Sequence, residues 1–253
     1  MFNRVKQIFH LKNFKSKKFI VSLIIFILII SILILVLLEY QGIIWHNSIF
    51  ASSYQIKGLD VSHHQGEIDW QKVASLNKYR FVYIKATEGH DFIDDRFLIN
   101  WQEAKKQNFY VGAYHFFSMR SSGEEQGKLF IQTVPKEEDN LPPVIDIEID
   151  LNHDQKKVRR EIKDFANLLE DHYKQKPILY VTKATYQVYI KGDFKNYDLW
   201  VRDILKPPFY AKNNWLIWQY SNRGRIDGIN GYVDENFFKG DKKKFREIML
   251  NEI

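Results

Sequence analysis

The fold of this 253-residue chain is decided by the stretch Pro142-Pro143-Val144-Ile145-Asp146-Ile147-Glu148-Ile149, an apolar run that contains two carboxylates. A short run of this kind, rich in β-branched residues, is typical of a buried central strand. Side chains alternate along a strand, so Asp146 and Glu148 share one face, about 6–7 Å apart at Cα. Two like charges in a poorly solvated site raise at least one pKa, which suits a general acid near neutral pH. From these eight residues alone, a salt-bridged structural pair or a metal site explains the acids equally well.

Strand and helix patterns alternate on both sides of this stretch. The predicted strands are Ile56–Ser62, Phe81–Thr87, Tyr110–Phe117, Val144–Glu148, Ile178–Val181, Leu199–Val201 and Trp215–Tyr220, and the predicted helices are Asp94–Gln107, Glu124–Val134 and Gln155–Tyr173. Such alternation indicates parallel strands in an α/β fold. Because the last third of the chain is less regular, we expect a single irregular TIM-like β/α barrel in which some helices are short or missing.

Polar side chains cluster at the ends of these predicted strands. They are Asp60, Lys85, Thr87, Glu88, His115, Asp146, Glu148, Thr182, Arg202, Asp203 and Gln219. In a β/α barrel the carboxyl ends of the strands open onto one face, where active sites lie. The sequence therefore predicts one polar mouth.

The N-terminus predicts a membrane anchor. Residues 1–18 carry six basic residues and no acid, and residues 19–38 form an uncharged apolar run that spans about 30 Å as a helix. The positive-inside rule then places the N-terminus in the cytoplasm and the remainder outside the cell membrane. Cleavage of a signal peptide near Ala51 is the rival interpretation. We expect a tether over residues 39–54 and a catalytic barrel over residues 55–253, acting as a monomer.

Composition excludes several classes of function. Removing the six leader bases from the 37 Lys and Arg leaves 31, which balance the 31 Asp and Glu, so the folded domain gives no electrostatic argument for a nucleic-acid partner. The chain has no cysteine, no P-loop and no dinucleotide-binding glycine turn. The His63-His64 pair lacks a metal-ligand partner motif. We therefore expect no cofactor and no metal.

Glycoside hydrolysis needs two carboxyl groups, one that protonates the leaving oxygen and one that attacks, activates water or stabilises the cationic sugar. Asp60, Asp146, Glu148 and Asp234 are the candidates. A pair two residues apart also suits a route in which the sugar's own acetamido oxygen attacks. A serine hydrolase is disfavoured because no Gly-x-Ser-x-Gly elbow is present. Aromatic residues make up 15% of the chain, and we expect two or three of them to line a sugar groove.

A set of ordered blocks resembles the lysozymes of glycoside hydrolase family 25, the N-acetylmuramidases. The blocks cover about residues 56 to 238 and include Gly58-Leu59-Asp60-Val61-Ser62-His63-His64-Gln65-Gly66, Phe81-Val82-Tyr83-Ile84-Lys85-Ala86-Thr87-Glu88-Gly89, Gly112-Ala113-Tyr114-His115-Phe116-Phe117, Pro143-Val144-Ile145-Asp146-Ile147-Glu148, Trp218-Gln219-Tyr220-Ser221 and Val233-Asp234-Glu235-Asn236. Each block alone is weak, but the ordered set is specific. The sequence departs from the family at Asn108, which replaces a usual glycine, and after Arg202, where a tyrosine is often found.

The resemblance implies cleavage of the β-1,4 bond after N-acetylmuramic acid in peptidoglycan. It assigns Glu148 as the general acid and Asp146 as the carboxylate that orients or stabilises, with Asp60 and Asp234 as flanking acids of the groove. Tyr83, His115, Tyr180, Trp218 and Gln219 are the expected substrate contacts. Two alternatives stay open: a non-catalytic peptidoglycan-binding protein, and a hydrolase of another acetamido-sugar polymer such as chitin.

Overall fold

The computed structural model describes residues 2–211 and 215–249, and the chain divides into two compact units, Met1–Ile44 and Trp45–Ile253. The first unit is a helix, α1 (Phe2–Tyr40), whose segment Lys17–Tyr40 is long and apolar enough to cross a membrane. The predicted apolar span over residues 19–38 falls inside it. Met1, the basic side chains before residue 17, and residues 250–253 of the predicted barrel lie outside the described part.

Within its described residues, the second unit has nine strands and one sheet. The strands are β1 (Ile56–Val61), β2 (Phe81–Glu88), β3 (Phe92–Ile93), β4 (Tyr110–Phe116), β5 (Val144–Ile147), β6 (Ile178–Thr182), β7 (Leu199–Arg202), β8 (Trp215–Gly224) and β9 (Val233–Phe238). The sheet order is β1-β9-β8-β7-β6-β5-β4-β2-β3, and β1 also pairs with β2. Eight strands thus close into a barrel, and β3 forms a short antiparallel pair at the end of β2.

Strand direction makes the barrel irregular. Seven strands follow one another around the barrel as parallel neighbours, as the alternating pattern predicts. Their order is β1, β2, β4, β5, β6, β7 and β8. Strand β9 runs antiparallel to both β8 and β1 and closes the barrel between them. The sequence pattern did not predict β9, because no helix separates it from β8 and its pairing depends on closure of the barrel between β8 and β1. The expected irregular TIM-like barrel is confirmed, with mixed rather than purely parallel pairing.

The helices are α2 (Asn47–Ala51), α3 (Trp70–Ser75), α4 (Phe97–Lys106), α5 (Gly123–Thr133), α6 (Gln155–Tyr173), α7 (Lys183–Thr185, continued by a π-helical turn at Tyr186–Ile190) and α8 (Lys242–Glu247). Local sequence explains their ends. Ser122 and Glu125 form a capping box at the start of α5, and Asp154 caps α6. Asn108 adopts a left-handed conformation after α4, with φ 62°.

Alternation along the strands separates two apolar layers. Tyr83, Val144, Tyr180 and Trp200 pack together inside the barrel, above a floor that includes Phe245 of α8. Their sequence neighbours, such as Ile145 and Val201, pack outward in the same cluster as side chains of α4, α5 and α6. Asp146 and Glu148 therefore share the inward face of β5 and its extension, as the period of two predicts.

The predicted tether over residues 39–54 is too long. Residues from Trp45 onward belong to the compact barrel unit. Asn47 is fully buried and donates from its Nδ2 to the carbonyl oxygen of Tyr220 at 3.1 Å, and Trp45 Nε1 donates to the same oxygen at 2.5 Å. Ala51, the rival cleavage residue, is also fully buried. The barrel domain therefore begins about ten residues earlier than its strand pattern indicates.

Candidate active site

A cavity of about 160 Å³ opens at the carboxyl ends of the parallel strands. We call it the mouth cavity. All four predicted catalytic acids line it, together with Ser62, His64, Lys85, Tyr114, Phe116, Val144, Tyr180 and Trp200. The inward face of β5 and the ends of its neighbours thus bring together residues that lie far apart in the chain.

Asp234 reaches the mouth by a route that differs from that of the other acids. It lies near the start of β9, and the antiparallel register pairs it directly with Asp60 of β1. Because β9 runs against β1, the beginning of one strand meets the end of the other. The rule that active-site residues follow the carboxyl ends of parallel strands therefore holds for Asp60 and Asp146, but not for Asp234.

A hydrogen-bonded chain fixes Asp60. Trp200 Nε1 donates to Asn236 Oδ1 at 2.9 Å, which turns the amide nitrogen of Asn236 toward Asp60 Oδ2 at 2.7 Å. The carboxyls of Asp60 and Asp234 also hydrogen-bond to each other. Burial, followed by repulsion from Asp234, raises the pKa of Asp60 well above its usual range. The hydrogen bond between the two carboxyls requires a proton on one of them, because two carboxylates can only accept.

Gln219 holds the carboxyl of Asp234 in place by a hydrogen bond. It hydrogen-bonds the Asp234 carboxyl, and its Oε1 accepts from the hydroxyl of Tyr180. Burial raises the pKa of Asp234 to about 6, while the hydrogen bond from Gln219 opposes that shift. Tyr180 thus contacts the cavity with its ring and holds the Gln219 amide with its hydroxyl.

Asp146 and Glu148 occupy different environments on the same face. Asp146 is 7% exposed, and burial followed by repulsion from Glu148 raises its pKa well above the usual range. Its Oδ1 atom is buried and has no hydrogen-bond partner among the described residues. The side chain of Glu148 is 31% exposed, and burial raises its pKa as well. Asp146 is therefore buried and, within the described part of the chain, has one oxygen without a hydrogen-bond partner, whereas Glu148 faces the opening of the cavity.

Two cations border the acids. Arg202 Nη1 lies 3.7 Å from Glu148 Oε1 and opposes the rise in the pKa of Glu148. Lys85 is 7% exposed, and its Nζ lies 2.7 Å from Glu88 Oε2. Lys85 also stabilises the charged form of Asp146, although burial of that acid dominates. The site is thus a carboxylate cluster with cations at its rim.

Four of the five predicted substrate contacts do not line the mouth cavity. Tyr83 is fully buried inside the barrel, where its hydroxyl donates to the carbonyl oxygen of Pro142 at 3.2 Å. His115 and Trp218 point outward into the helix-facing layer, because each is one position out of phase with the inward residues of its strand. The structure therefore places Tyr83, His115 and Trp218 in the packed layers of the barrel and not in the cavity wall. Gln219 is also buried and contacts cavity residues instead of the cavity.

Other cavity residues were missed as site residues, although the period of two identifies them. On β4 the inward positions are Tyr114 and Phe116, which flank the outward His115. On β7 the inward aromatic residue is Trp200. Four aromatic residues therefore line the cavity, rather than the two or three expected. Among the described residues, no group of three or more His, Asp or Glu side chains is arranged to hold a metal ion.

Comparison with known proteins matches this geometry to one family. The sequence model described as "Glycosyl hydrolases family 25" matches residues 59–229. A solved structure described as a family 25 glycosyl hydrolase from Bacillus anthracis superimposes with a TM-score of 0.73 at 41% sequence identity, covering 77% of this chain and 93% of that one.

Two curated proteins align over most of the chain. An uncharacterized protein, YegX, of Escherichia coli strain K12 is 38% identical over 203 residues, which cover 78% of this chain and 75% of that protein. Lysozyme M1 of Streptomyces globisporus is 30% identical over 224 residues, which cover 79% of this chain and 74% of that protein.

Proposed function

Because the chain belongs to glycosyl hydrolase family 25, we propose that it is an N-acetylmuramidase that hydrolyses the β-1,4 bond between N-acetylmuramic acid and N-acetylglucosamine in peptidoglycan. Its likeness to lysozyme M1 and to a family 25 structure supports a lysozyme-type glycoside hydrolase. The observation that carries the proposal is the pair Asp146 and Glu148 on one inward face, at a cavity shared with Asp60 and Asp234.

Glu148 is the proposed general acid. Its pKa is raised by burial, so the carboxyl stays protonated closer to neutral pH, and its partial exposure leaves it open to a substrate in the cavity. The proton moves from Glu148 to the glycosidic oxygen, the C1–O bond breaks, and its electron pair leaves with that oxygen. If the acetamido oxygen of the substrate has attacked C1, the resulting Glu148 carboxylate then takes a proton from the water that opens this intermediate and completes hydrolysis.

Asp146 is the proposed assisting carboxylate. Its unpartnered Oδ1 is a buried acceptor beside the acid, suited to the N–H of an acetamido group on the substrate. An acetamido group held in this way presents its oxygen to C1, and the Asp146 charge stabilises the cationic sugar. If water attacks C1 directly instead, the Asp146 carboxylate can accept a proton from that water. The position of Asp146 therefore suits both attack by the acetamido oxygen and attack by water.

Asp60 and Asp234 are proposed to flank the reacting sugar, and Tyr180 to contact it. The pair of acids, sharing a proton, offers both a donor and an acceptor to sugar hydroxyls. The ring of Tyr180 forms part of the cavity wall, next to Trp200 at a centroid distance of 5.1 Å. Aromatic faces of this kind pack against the C–H surfaces of sugars.

This function is tested by incubating the detergent-solubilised full chain with purified peptidoglycan and measuring the reducing ends that it releases. We expect new muramic-acid reducing ends by mass spectrometry, and a loss of about 10²–10⁴-fold in kcat for Glu148→Gln with retained binding to the glycan. The matched control is Glu138→Gln, which changes an exposed glutamate on the loop that leads into the amino end of β5, opposite the mouth. Cleavage of chitin oligomers in place of peptidoglycan would instead support the other acetamido-sugar activity, and binding without turnover in the unaltered chain would support a scaffold.

We also propose that α1 is retained as a single-pass anchor over residues 19–38, with the barrel outside the membrane. The length and apolarity of Lys17–Tyr40 support a span, and the buried position of Ala51 in α2 argues against cleavage there. Extraction of bacterial membranes at alkaline pH, combined with protease treatment of spheroplasts, tests this topology. An anchored chain stays in the membrane pellet and loses its barrel to external protease, whereas a processed chain appears in the soluble fraction at lower mass. We expect the solubilised chain to be a monomer by light scattering.

A further inference from the structure

A second cavity of about 120 Å³ lies between the loop that follows β2 and the loop that follows β4. Its lining includes Glu88, His90, Asp91, Phe92, Arg120 and Ser121. The proposed hydrolysis uses none of these side chains. The cavity opens at the same end of the barrel as the mouth cavity, because both loops follow the carboxyl ends of parallel strands.

Lys85 forms the wall between the two cavities. Its side chain lines the mouth cavity, and its Nζ pairs with Glu88, which lines the second cavity, at 2.7 Å. The same Nζ lies 5.1 Å from the ring centroid of Phe116 in the mouth cavity and 5.3 Å from that of Phe92 in the second. The two cavities are therefore adjacent, so one ligand can occupy both.

A buried network fixes the loop that carries Arg120. Gln126 Nε2 donates to the carbonyl oxygens of Ser118 at 2.8 Å and Ser121 at 3.2 Å, and its Oε1 accepts from the Ser118 backbone N–H at 2.9 Å. His115 Nε2 lies 2.9 Å from the same Oε1, and Thr87 Oγ1 lies 2.7 Å from His115 Nδ1. His115 thus anchors this loop from inside, so the second cavity is shaped before any ligand arrives.

The lining carries one arginine that is not held by an ion pair within the described residues. Among the described residues, Arg120 has no ion pair, although its side chain is exposed at the cavity. Within the same described part of the chain, the Oγ of Ser121 is buried and lacks a hydrogen-bond partner. The guanidinium of arginine presents a planar set of N–H donors that matches a carboxylate. Glu88 and Asp91 supply acceptors for N–H groups on the other side.

We infer that the second cavity binds the peptide that muramic acid carries, with Arg120 receiving a carboxylate of that peptide. This inference rests on the proposed function, in which a muramic acid occupies the mouth cavity. The lactyl group of muramic acid is amide-linked to a short peptide with free carboxylates, so a charged chain leaves the sugar beside the scissile bond. A lining with charges of both signs suits this peptide better than it suits a neutral sugar ring.

Two substrates test the inference: peptidoglycan glycan strands that bear peptides, and the same strands after an amidase has removed the peptides. For the full chain with Arg120→Gln, we expect kcat/KM on peptide-bearing strands to fall about tenfold relative to its kcat/KM on stripped strands. Arg80→Gln is the matched control, because Arg80 is an exposed arginine that precedes β2 at the opposite end of the barrel. It leaves the ratio between the two substrates at the value of the unaltered enzyme.

Binding provides a readout that needs no turnover. In a Glu148→Gln background, sedimentation with peptide-bearing strands should show weaker binding after Arg120→Gln, with less change for stripped strands. An equal effect on both substrates would mean that the cavity holds a sugar, and no effect on either would mean that it holds nothing; both results overturn the inference. Failure of the unaltered chain to cut even stripped strands counts against the proposed function, and the binding comparison then still decides the role of Arg120.

Discussion

Arg202 Nη1 lies 3.7 Å from Glu148 Oε1, at the opening of the barrel, and the two side chains are exposed to nearly the same extent, 33% and 31%. Strand β7 supplies the cation and the residue after β5 supplies the acid, with β6 between them. Burial raises the pKa of Glu148, and the nearby guanidinium opposes that rise. The pair therefore sets the pH range over which a general acid at this position keeps its proton.

Replacement of Arg202 should move the alkaline limb of the pH profile. In Arg202→Gln the opposing charge is lost, so the pKa of Glu148 rises further and the acid stays protonated to higher pH. We expect the alkaline limb of kcat/KM to shift upward, measured as initial rates across a pH series. Arg202→Lys keeps the charge and should stay close to the unaltered profile. A downward shift in Arg202→Gln would show that another group controls this limb.

The acids of the mouth cavity should make the protein less stable as pH rises. Burial raises the folded-state pKa of Asp234 to about 6, above its ordinary value of 3.8. Its contribution is therefore fully present below about pH 4 and is lost as pH rises through about 6. Between pH 4 and pH 7 the free energy of unfolding of the unaltered protein should therefore fall. We expect that fall to be about 2 kcal/mol smaller in Asp234→Asn, as measured by urea denaturation at each pH.

The control for that measurement is Asp171→Asn, an exposed position on α6. It should reproduce the pH dependence of the unaltered protein. Equal pH dependence in Asp234→Asn and the unaltered protein would mean that Asp234 ionises in the folded state as it does in the unfolded chain.

The segment before β1 should contribute to barrel stability. Asn47→Ala removes the hydrogen bonds that Asn47 Nδ2 donates to the carbonyl oxygens of Asp203 and Tyr220, and it leaves a cavity at a fully buried position. We expect a loss of about 1–3 kcal/mol in the free energy of unfolding, seen as a lower Tm. Ser53→Ala, at an exposed position in the same segment, should change the Tm little. If the two variants melt alike, the segment is a tether after all.

Gly112 is required by the ring of Tyr83. A Cβ at this position would lie 2.3 Å from Tyr83 Cε1 and 2.9 Å from Leu141 Cβ, inside the barrel. Gly112→Ala should therefore destabilise the barrel by about 1–3 kcal/mol through overpacking. Tyr83→Leu in the same chain should restore part of the loss, and a double-mutant cycle of urea denaturation measures the coupling. Additive effects would show that the two residues do not compete for the same space.

Sequence patterns predicted the elements whose signals are local. Strands β1, β2 and β4 to β8 and helices α4, α5 and α6 were all expected within a few residues of their bounds, because alternation and capping residues report on local geometry. Strand β9 was missed, since its pairing depends on closure between the two ends of the barrel. The start of the domain at Trp45 was missed for a similar reason: buried Asn47 contacts residues more than 150 positions away.

The site was predicted unevenly for a different reason. The four acids were placed together by family resemblance and by strand ends, and the mouth cavity contains all of them. The aromatic and polar contacts were chosen by residue type without regard to phase. On β4, the choice by residue type selected His115 and omitted its inward neighbours Tyr114 and Phe116. It also selected Trp218 of β8 and omitted Trp200 of the neighbouring strand β7. The inward positions of each strand can be found by taking every second residue in register with Asp146. This rule selects the inward residues Tyr114, Phe116 and Trp200.

The hydrogen bond from Asn236 to Asp60 joins residues 176 positions apart, and the last strand supplies one of the four acids as well as this bond. A chain still being synthesised carries Asp60, Asp146 and Glu148 long before it has β9, and until then the barrel has two open edges. The pairing of Asp60 with Asp234, and the closed barrel that holds both, therefore form only when β9 takes its place between β8 and β1.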